Sequence, residues 1–257
     1  MFVRNLESLG RKVLQSVENS GRITMLTLQV LYNLRGRLKA RHVLQQMLHL
    51  GVDSLPIVLL TILFTGMVIT LQTAHGFIKY GAQSRVGGAV AVSMLRELAP
   101  VLTGVVVAGR VGAAIAAEIC SMKVTEQLDA LRVMAVNPIQ YLVVPRFLAC
   151  SIMLPVLVIF ADVIGTLGGY LVATLYAGIS SFTYFNSIKL FADAYDVTGG
   201  LIKAVFFGGV IAIIGCYKGM TAEAGAEGVG RATTASVVSS IIIIFISNYF
   251  LSMLLYR

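Results

Sequence analysis

Apolar residues at the start of the chain recur at steps of three or four (Phe2, Leu6, Leu9, Val13, Val17), while Arg4, Glu7, Ser8, Arg11, Lys12, Gln15 and Glu18 fall on other faces. That period predicts an amphipathic helix. The pattern runs on, more apolar, through 23–34. Twelve residues at about 1.5 Å each cover only about 18 Å, short of a hydrocarbon core of roughly 30 Å. Residues 1–50 are therefore expected to form an interfacial helical segment, with the basic residues of 35–41 reaching for headgroups. A soluble amphipathic helix packed on a partner is the alternative.

Beyond residue 50 the polar interruptions become rare, and 51–257 reads as one five-span membrane domain. Residues 55–74 carry no charge and make the first span, with Pro56 and Gly66 allowing a kink or a re-entrant shape. The second, 86–117, is interrupted by Arg96, Glu97 and Arg110 and is expected to bend at Pro100. Residues 147–176 form a long third span whose one charge is Asp162. Residues 199–216, with Lys203, and the charge-free 235–255 are the fourth and fifth. The predicted fold class is thus all-α and polytopic.

Between spans two and three, Val124, Leu128, Leu131 and Ala135 follow steps of four, three and four, with Lys123, Glu126, Gln127 and Arg132 on other faces. The spacing predicts a short amphipathic helix over 121–134, stopped by Asn137 and Pro138. Its apolar stripe could rest on the bilayer or dock in a groove on a partner.

Composition agrees with the pattern: 57% of the residues are hydrophobic and only 12% charged, against roughly a quarter charged in soluble domains. So few charges cannot cover a soluble exterior, and the net charge of +8 does not make a nucleic-acid binder, which needs a basic surface in water. Residues 1–50 hold eight Lys and Arg against two acids. By the positive-inside rule this places the N-terminus in the cytoplasm, and five crossings then place the C-terminus outside. No cleavable signal peptide is read, because polar residues recur through the first 22 positions. Cys120, Cys150 and Cys216 are dispersed within or beside apolar stretches and read as reduced packing residues.

No Gly-Lys-Ser or Gly-Lys-Thr phosphate loop and no Gly-x-Ser-x-Gly elbow occurs in the sequence. His42, His49 and His75 lack metal-ligand spacing with any carboxylate or cysteine. Small residues are the positive feature: Gly109 and Gly112, Gly165 and Gly169, and the cluster Gly208, Gly209 and Gly215 would let helices approach closely, within one subunit or at a homodimer seam.

The ordered strings Leu95-Arg96-Glu97-Leu98-Ala99-Pro100, Ala108-Gly109-Arg110-Val111-Gly112, Ala117-Glu118, Met122, Thr125-Glu126-Gln127-Leu128, Met134-Ala135-Val136-Asn137-Pro138, Pro145-Arg146-Phe147 and Gly230-Arg231-Ala232-Thr233-Thr234 resemble the MlaE permease family over essentially the whole chain. Asn137 stands where many members have Asp. The resemblance implies a non-enzymatic permease subunit of an ABC system that moves phospholipids between the inner and outer membranes of a diderm bacterium. It further implies a homodimer with cytoplasmic ABC ATPase partners, which carry the ATP and Mg, and an extracytoplasmic MCE-domain partner. No cofactor is expected on this chain itself. Under the same resemblance Glu126, Gln127, Leu128, Asp129 and Leu131 belong to a coupling helix gripped by the ATPase. Ile69, Phe77 and Tyr80, with Arg96 and Glu97, line a lipid pathway, although Phe and Tyr at such depths also serve as interface anchors.

Arg96 and Glu97, inside a span, must face protein or a water-filled cavity. Adjacent helix positions point about 100° apart, so each is expected to pair with a different helix. Asp196 and Lys203, seven residues apart, share one face if span four begins early. With Arg110 and Arg231 they form the expected intramembrane charge network, either a fixed ion-pair set or a headgroup contact. An ion-gradient transporter using Asp162, Asp196 and Lys203, or a non-transporting scaffold, are the other function classes.

Overall fold

The structure is a computed structural model that describes residues 2–34, 40–223 and 225–256, excepting the side chains of 2–13, 15 and 16. Arg35, Arg37 and Lys39 of the basic cluster, and the first part of the N-terminal apolar stripe, lie outside the described residues. Among the described residues all regular structure is helical. Five helical stretches are long and apolar enough to cross a membrane, as the pattern predicts.

Helix α1 (Phe2–Asn33) is continuous. Its Leu26 packs in a small cluster with Ile213 and Tyr217, and the Tyr217 hydroxyl donates to Asn19 Oδ1 at 3.1 Å. Helix α2 (Ala40–Gly51) passes through a 3-10 turn (Val52–Ser54) into α3 (Leu55–Lys79), so a helical stretch precedes the expected start of span one. Span two comprises α4 (Val86–Ser93), α5 (Ala99–Val107) and α6 (Ala113–Val124), joined by π-helical turns at Met94–Leu98 and Ala108–Gly112. These turns hold the two charged motifs of the span.

The predicted helix over 121–134 is not one element. α6 runs on to Val124, Glu126 turns left-handed (φ 58°), and a separate α7 (Gln127–Val133) follows, closed by left-handed Ala135 (φ 56°). A spanning helix and a helix laid across its end cannot share one axis, and this break supplies the corner. The apolar stripe divides accordingly: Leu128 is buried and Leu131 half-buried, whereas Val124 and Ala135 are exposed.

Helix α8 (Val144–Leu175) is the long third span, entered through a π-helical turn (Ile139–Val143). The connection 177–198 contains an unforeseen helix, α9 (Ser181–Phe191), capped by Ser180 and laid against α4. Helices α10 (Ala194–Thr221) and α11 (Ala226–Leu255) complete the bundle. Alternating directions place α7 at one end of the bundle and α9 at the other.

α8 and α10 are the central pair: α8 packs on α2, α3 and α10, while α10 packs on α6 and α11. Glycines set these distances, because apolar helices in lipid gain association energy mainly from close packing. A methyl at Gly66 would overlap the Gly165 carbonyl across the α3–α8 crossing, and one at Gly208 would overlap that of Cys150 across α8–α10. The glycine clusters named from the sequence therefore serve packing within one subunit. Gly109 is the exception, since a methyl added there would meet nothing within 4 Å, while its companion Gly112 packs on Ile211. All three cysteines are buried thiols, consistent with packing roles.

Gly66→Leu is expected to lower stability in detergent by about 3 kcal/mol or more, since backbone on the neighbouring helix cannot yield. Gly76→Leu, at a position with nothing within 4 Å, is expected to be neutral. Thermal unfolding of the two variants beside the parent chain checks this; equal losses would contradict the crossing.

Candidate functional site

The charged residues of span two meet span four near the α9 end. Arg96 Nε donates to Asp196 Oδ1 at 2.6 Å, and Lys203 Nζ donates to Glu97 Oε1 at 2.8 Å. Asp196 and Lys203 share one face of α10 because that helix begins at Ala194, early enough to include both. The expectation that Arg96 and Glu97 pair with different helices holds only in part: both ion-pair with α10, and Glu97 also takes partners on α11. The seven-residue spacing of the α10 charges and the wider π turn carrying Arg96 and Glu97 allow it.

Pro100 adds a backbone reason for Lys203. Proline has no N–H to offer the carbonyl four residues back, and that carbonyl, on Arg96, accepts from Lys203 Nζ at 2.8 Å. The third hydrogen bond of the ammonium goes to Ser252 Oγ at 2.7 Å. Lys203 is thereby fully buried with all three protons placed.

α11 contributes residues that sequence reasoning missed. Asn248 Nδ2 donates to Glu97 Oε2 at 2.8 Å, and Ser252 Oγ donates to Glu97 Oε1 at 2.7 Å. The Tyr256 ring lies 4.8 Å from the Arg96 guanidinium carbon and 4.9 Å from Lys203 Nζ, within cation-π range of both. An Asn and a Ser four residues apart in an otherwise greasy span were the available signal. Asp196 also accepts from the Asp193 N–H through its second oxygen, closing the capping box of α10.

The site is therefore two cations and two anions held by three spans. Asp196 and Lys203 are buried, while the side chains of Arg96 and Glu97 are 38% and 39% exposed. The cluster thus has an inward, buried half on α10 and an outward, partly exposed half on span two.

The other named residues lie elsewhere. Arg110 donates to Ser54 Oγ at 2.7 Å and approaches Asp53 at 3.8 Å. From Asp53 a chain of contacts runs through His49 to Glu118 and on to buried Arg146. This belt ties α2 to spans two and three toward the α7 end; the sequence reading passed over Asp53 and weighed His49 only as a metal ligand. Arg231 pairs with Glu223 and Glu227 at the start of α11, on the surface. The four residues grouped as one network thus occupy three places. Ile69 and Phe77 are half-buried and pack on the core, whereas Tyr80 is 83% exposed; only Arg96 and Glu97 of the expected pathway enter the polar cluster. On α7, Glu126, Gln127 and Asp129 are exposed and Asp129 pairs with Arg132, while Leu128 faces inward. Among the described residues no group of three or more His, Cys, Asp or Glu is placed to hold a metal ion.

Lys203→Met strands Glu97 without its cation, and breaking such a pair is expected to cost about 3 kcal/mol, the low end for buried pairs because Glu97 is partly open. Glu97→Gln in the same chain is expected to recover much of the loss. A double-mutant cycle by thermal unfolding checks the coupling; simple additivity of the two losses would contradict it.

Residues 43–254 match the family model described as Permease MlaE. A probable ABC transporter permease of Synechocystis is 49% identical over 233 residues, covering 90% of this chain and 89% of that one. A probable ABC transporter permease of Rickettsia felis is 42% identical over the full length of both chains. The Arabidopsis thaliana protein named trigalactosyldiacylglycerol 1, chloroplastic, is 40% identical over 223 residues, 87% of this chain and 64% of the plant protein. With five apolar crossings, a polar cluster between three of them and this breadth of match, the chain is a multi-pass membrane permease belonging to the MlaE permease family.

Proposed function

We propose that this chain is the membrane subunit of an ABC transporter that moves phospholipids, powered by ATP hydrolysed on partner subunits. The observation that carries the reading is the half-open cluster of Arg96, Glu97, Asp196 and Lys203 set among apolar spans. A phospholipid needs an apolar path for its chains and a polar station for its head. An exposed guanidinium is well suited to a phosphate, and the neighbouring carboxylate suits an ammonium-bearing head. The Arabidopsis relative, whose name is that of a glycolipid, supports a lipid cargo. The working assembly is a homodimer, with an MCE-domain partner at the α9 end and ATPase subunits at the α7 end.

The α7 end is assigned to the cytoplasm and the chain to the inner membrane of a diderm bacterium. Lys123, Arg132, Arg146, Lys218 and Arg231 lie toward the α7 end, against Lys79, Arg85 and Lys189 toward the other. This sign bias favours the assignment. α1 would then lie along the cytoplasmic interface, its exposed Leu14, Val17, Met25 and Leu28 meeting lipid.

Coupling is assigned to the outward side of α7. Gln127, Asp129 and Val133 are available to a partner, Val133 being 88% exposed, whereas Leu128 seats α7 on its own bundle. Push on that outward face moves α6 and, through the Glu118–Arg146 bridge of 2.8 Å, the start of α8.

In the purified complex, Asp129→Ala with Val133→Asp is expected to reduce lipid-stimulated ATP hydrolysis at least tenfold while the permease keeps its melting temperature. Leu128→Ala is expected to lower that temperature instead, by loosening α7. ATP turnover unchanged by the surface pair would overturn the coupling assignment. Copurification from native membranes tests the assembly, with an ATPase, an MCE-domain protein and phospholipid expected in the eluate.

A further inference from the structure

Asp162 lies in α8 outside the polar cluster and is the one acid in its span. It is 7% exposed, its Oδ1 is buried without a hydrogen-bond partner, and among the described residues no cation reaches it. The other acids within spans are matched: Glu97 has Lys203, Asn248 and Ser252, and Asp196 has Arg96. The two hydroxyls at this level are already committed. Thr166 Oγ1 donates to the Asp162 carbonyl at 2.7 Å, and the Tyr184 hydroxyl donates to the Thr166 carbonyl at 3.2 Å. Burial pushes the Tyr184 phenol up to about 12, so it keeps its proton for that bond. An intramembrane carboxyl left without a partner marks a place where a ligand or a proton acts.

The carboxyl lines a cleft of about 390 Å³ formed by α4, α8, α9 and the first turn of α10. Apart from Asp162 and Thr166 the walls are apolar, and Ile159, Val163, Leu167 and Phe185 are exposed at its rim. The cleft therefore opens sideways, on the surface that meets the bilayer. A narrow cleft that opens along its rim takes one alkyl chain laid against its apolar wall rather than both chains of a two-chain lipid. Charge complementarity selects the head: a buried carboxyl lacking a countercharge is matched by a cation that also donates a hydrogen bond, because that cation stabilises the ionised form.

We propose that this cleft binds a single-chain amphiphile with a primary ammonium head, the ammonium donating to Asp162 and the alkyl chain lying against Ile159, Val163 and Leu167. The cleft borders the polar cluster, since Leu95 and Val197 of its lining are the chain neighbours of Arg96 and Asp196, but none of the cluster's four charges lines it, and the proposal does not depend on phospholipid being the transported cargo. It gives the permease a lateral station for cationic amphiphiles dissolved in the membrane.

The test uses the full chain in dioleoylphosphatidylcholine nanodiscs, with three probes read by native mass spectrometry. Oleylamine carries charge and N–H donors, oleyltrimethylammonium has the charge alone, and oleyl alcohol has a donor without charge. One retained oleylamine per chain is expected, with at least tenfold weaker retention of the other two probes and of oleylamine by Asp162→Asn. Leu167→Trp, which narrows the cleft and leaves the acid in place, is expected to weaken retention as well and keeps the test valid where the Asn variant does not fold. Equal retention of the three probes, preference for the alcohol, or undiminished binding by a folded Asp162→Asn chain would overturn the proposal. So would a cross-link from the cleft to a second copy that excludes oleylamine, because the copy would then be the occupant.

Discussion

A charge inside an apolar span has to find its counterpart within the protein, and the arrangement around Lys203 follows from that constraint. Its ammonium joins three spans by bonding the Arg96 carbonyl, Glu97 and Ser252. Each contact has a sequence cause: Pro100 frees the carbonyl, the π turn turns Glu97 toward α10, and the last turns of α11 supply the hydroxyl. Removing any one of these leaves a polar group in a medium that offers no water to replace it. The cluster accordingly ties spans two, four and five together, and only its Arg96–Glu97 side is exposed.

The remaining interfaces work without charge. Glycine crossings bring α3 and α10 against α8 closely enough that backbone meets backbone, and Ser236 Oγ donates to the Gly112 carbonyl at 3.1 Å where α11 joins the second π turn. The two ends of the bundle thus differ in construction. Toward the α9 end, fully buried ions are tied to one exposed face. Toward the α7 end, the belt of His49, Asp53, Arg110 and Glu118 is partly exposed, is anchored on buried Arg146, and lies close to α7. Movement at α7 can reach the spans through that belt without first dismantling the polar cluster.

Much of this was legible in the sequence because a bilayer imposes long apolar runs. The five spans and the pairing face of Asp196 and Lys203 were readable, as was the packing role of Gly165, Gly169, Gly208 and Gly215. The break at Glu126 was not, since a left-handed glutamate leaves the three-and-four spacing on either side intact. The π turns escaped for a similar reason: one added residue shifts the face of everything beyond it without altering composition. Helix α9 was hidden in the connection between spans three and four, too short and too mixed in polarity to stand out as a span. Asn248, Ser252 and Tyr256 went unnoticed because uncharged polar residues near a span end raise no alarm until a buried charge is seen beside them. The breadth of the family motifs supplied the permease identity, whereas the geometry supplied the partners of each charge.

The proposed division of labour gives this chain the lipid path and the polar station, with energy entering at α7 from another subunit. The most direct test is lipid movement out of vesicles that carry the permease in one defined orientation, with and without its copurified ATPase. Headgroup-labelled phospholipid is expected to leave the membrane only when ATPase and ATP are both present on the α7 side, with no response to an imposed proton or sodium gradient. Gradient-driven movement by the permease alone would contradict the account.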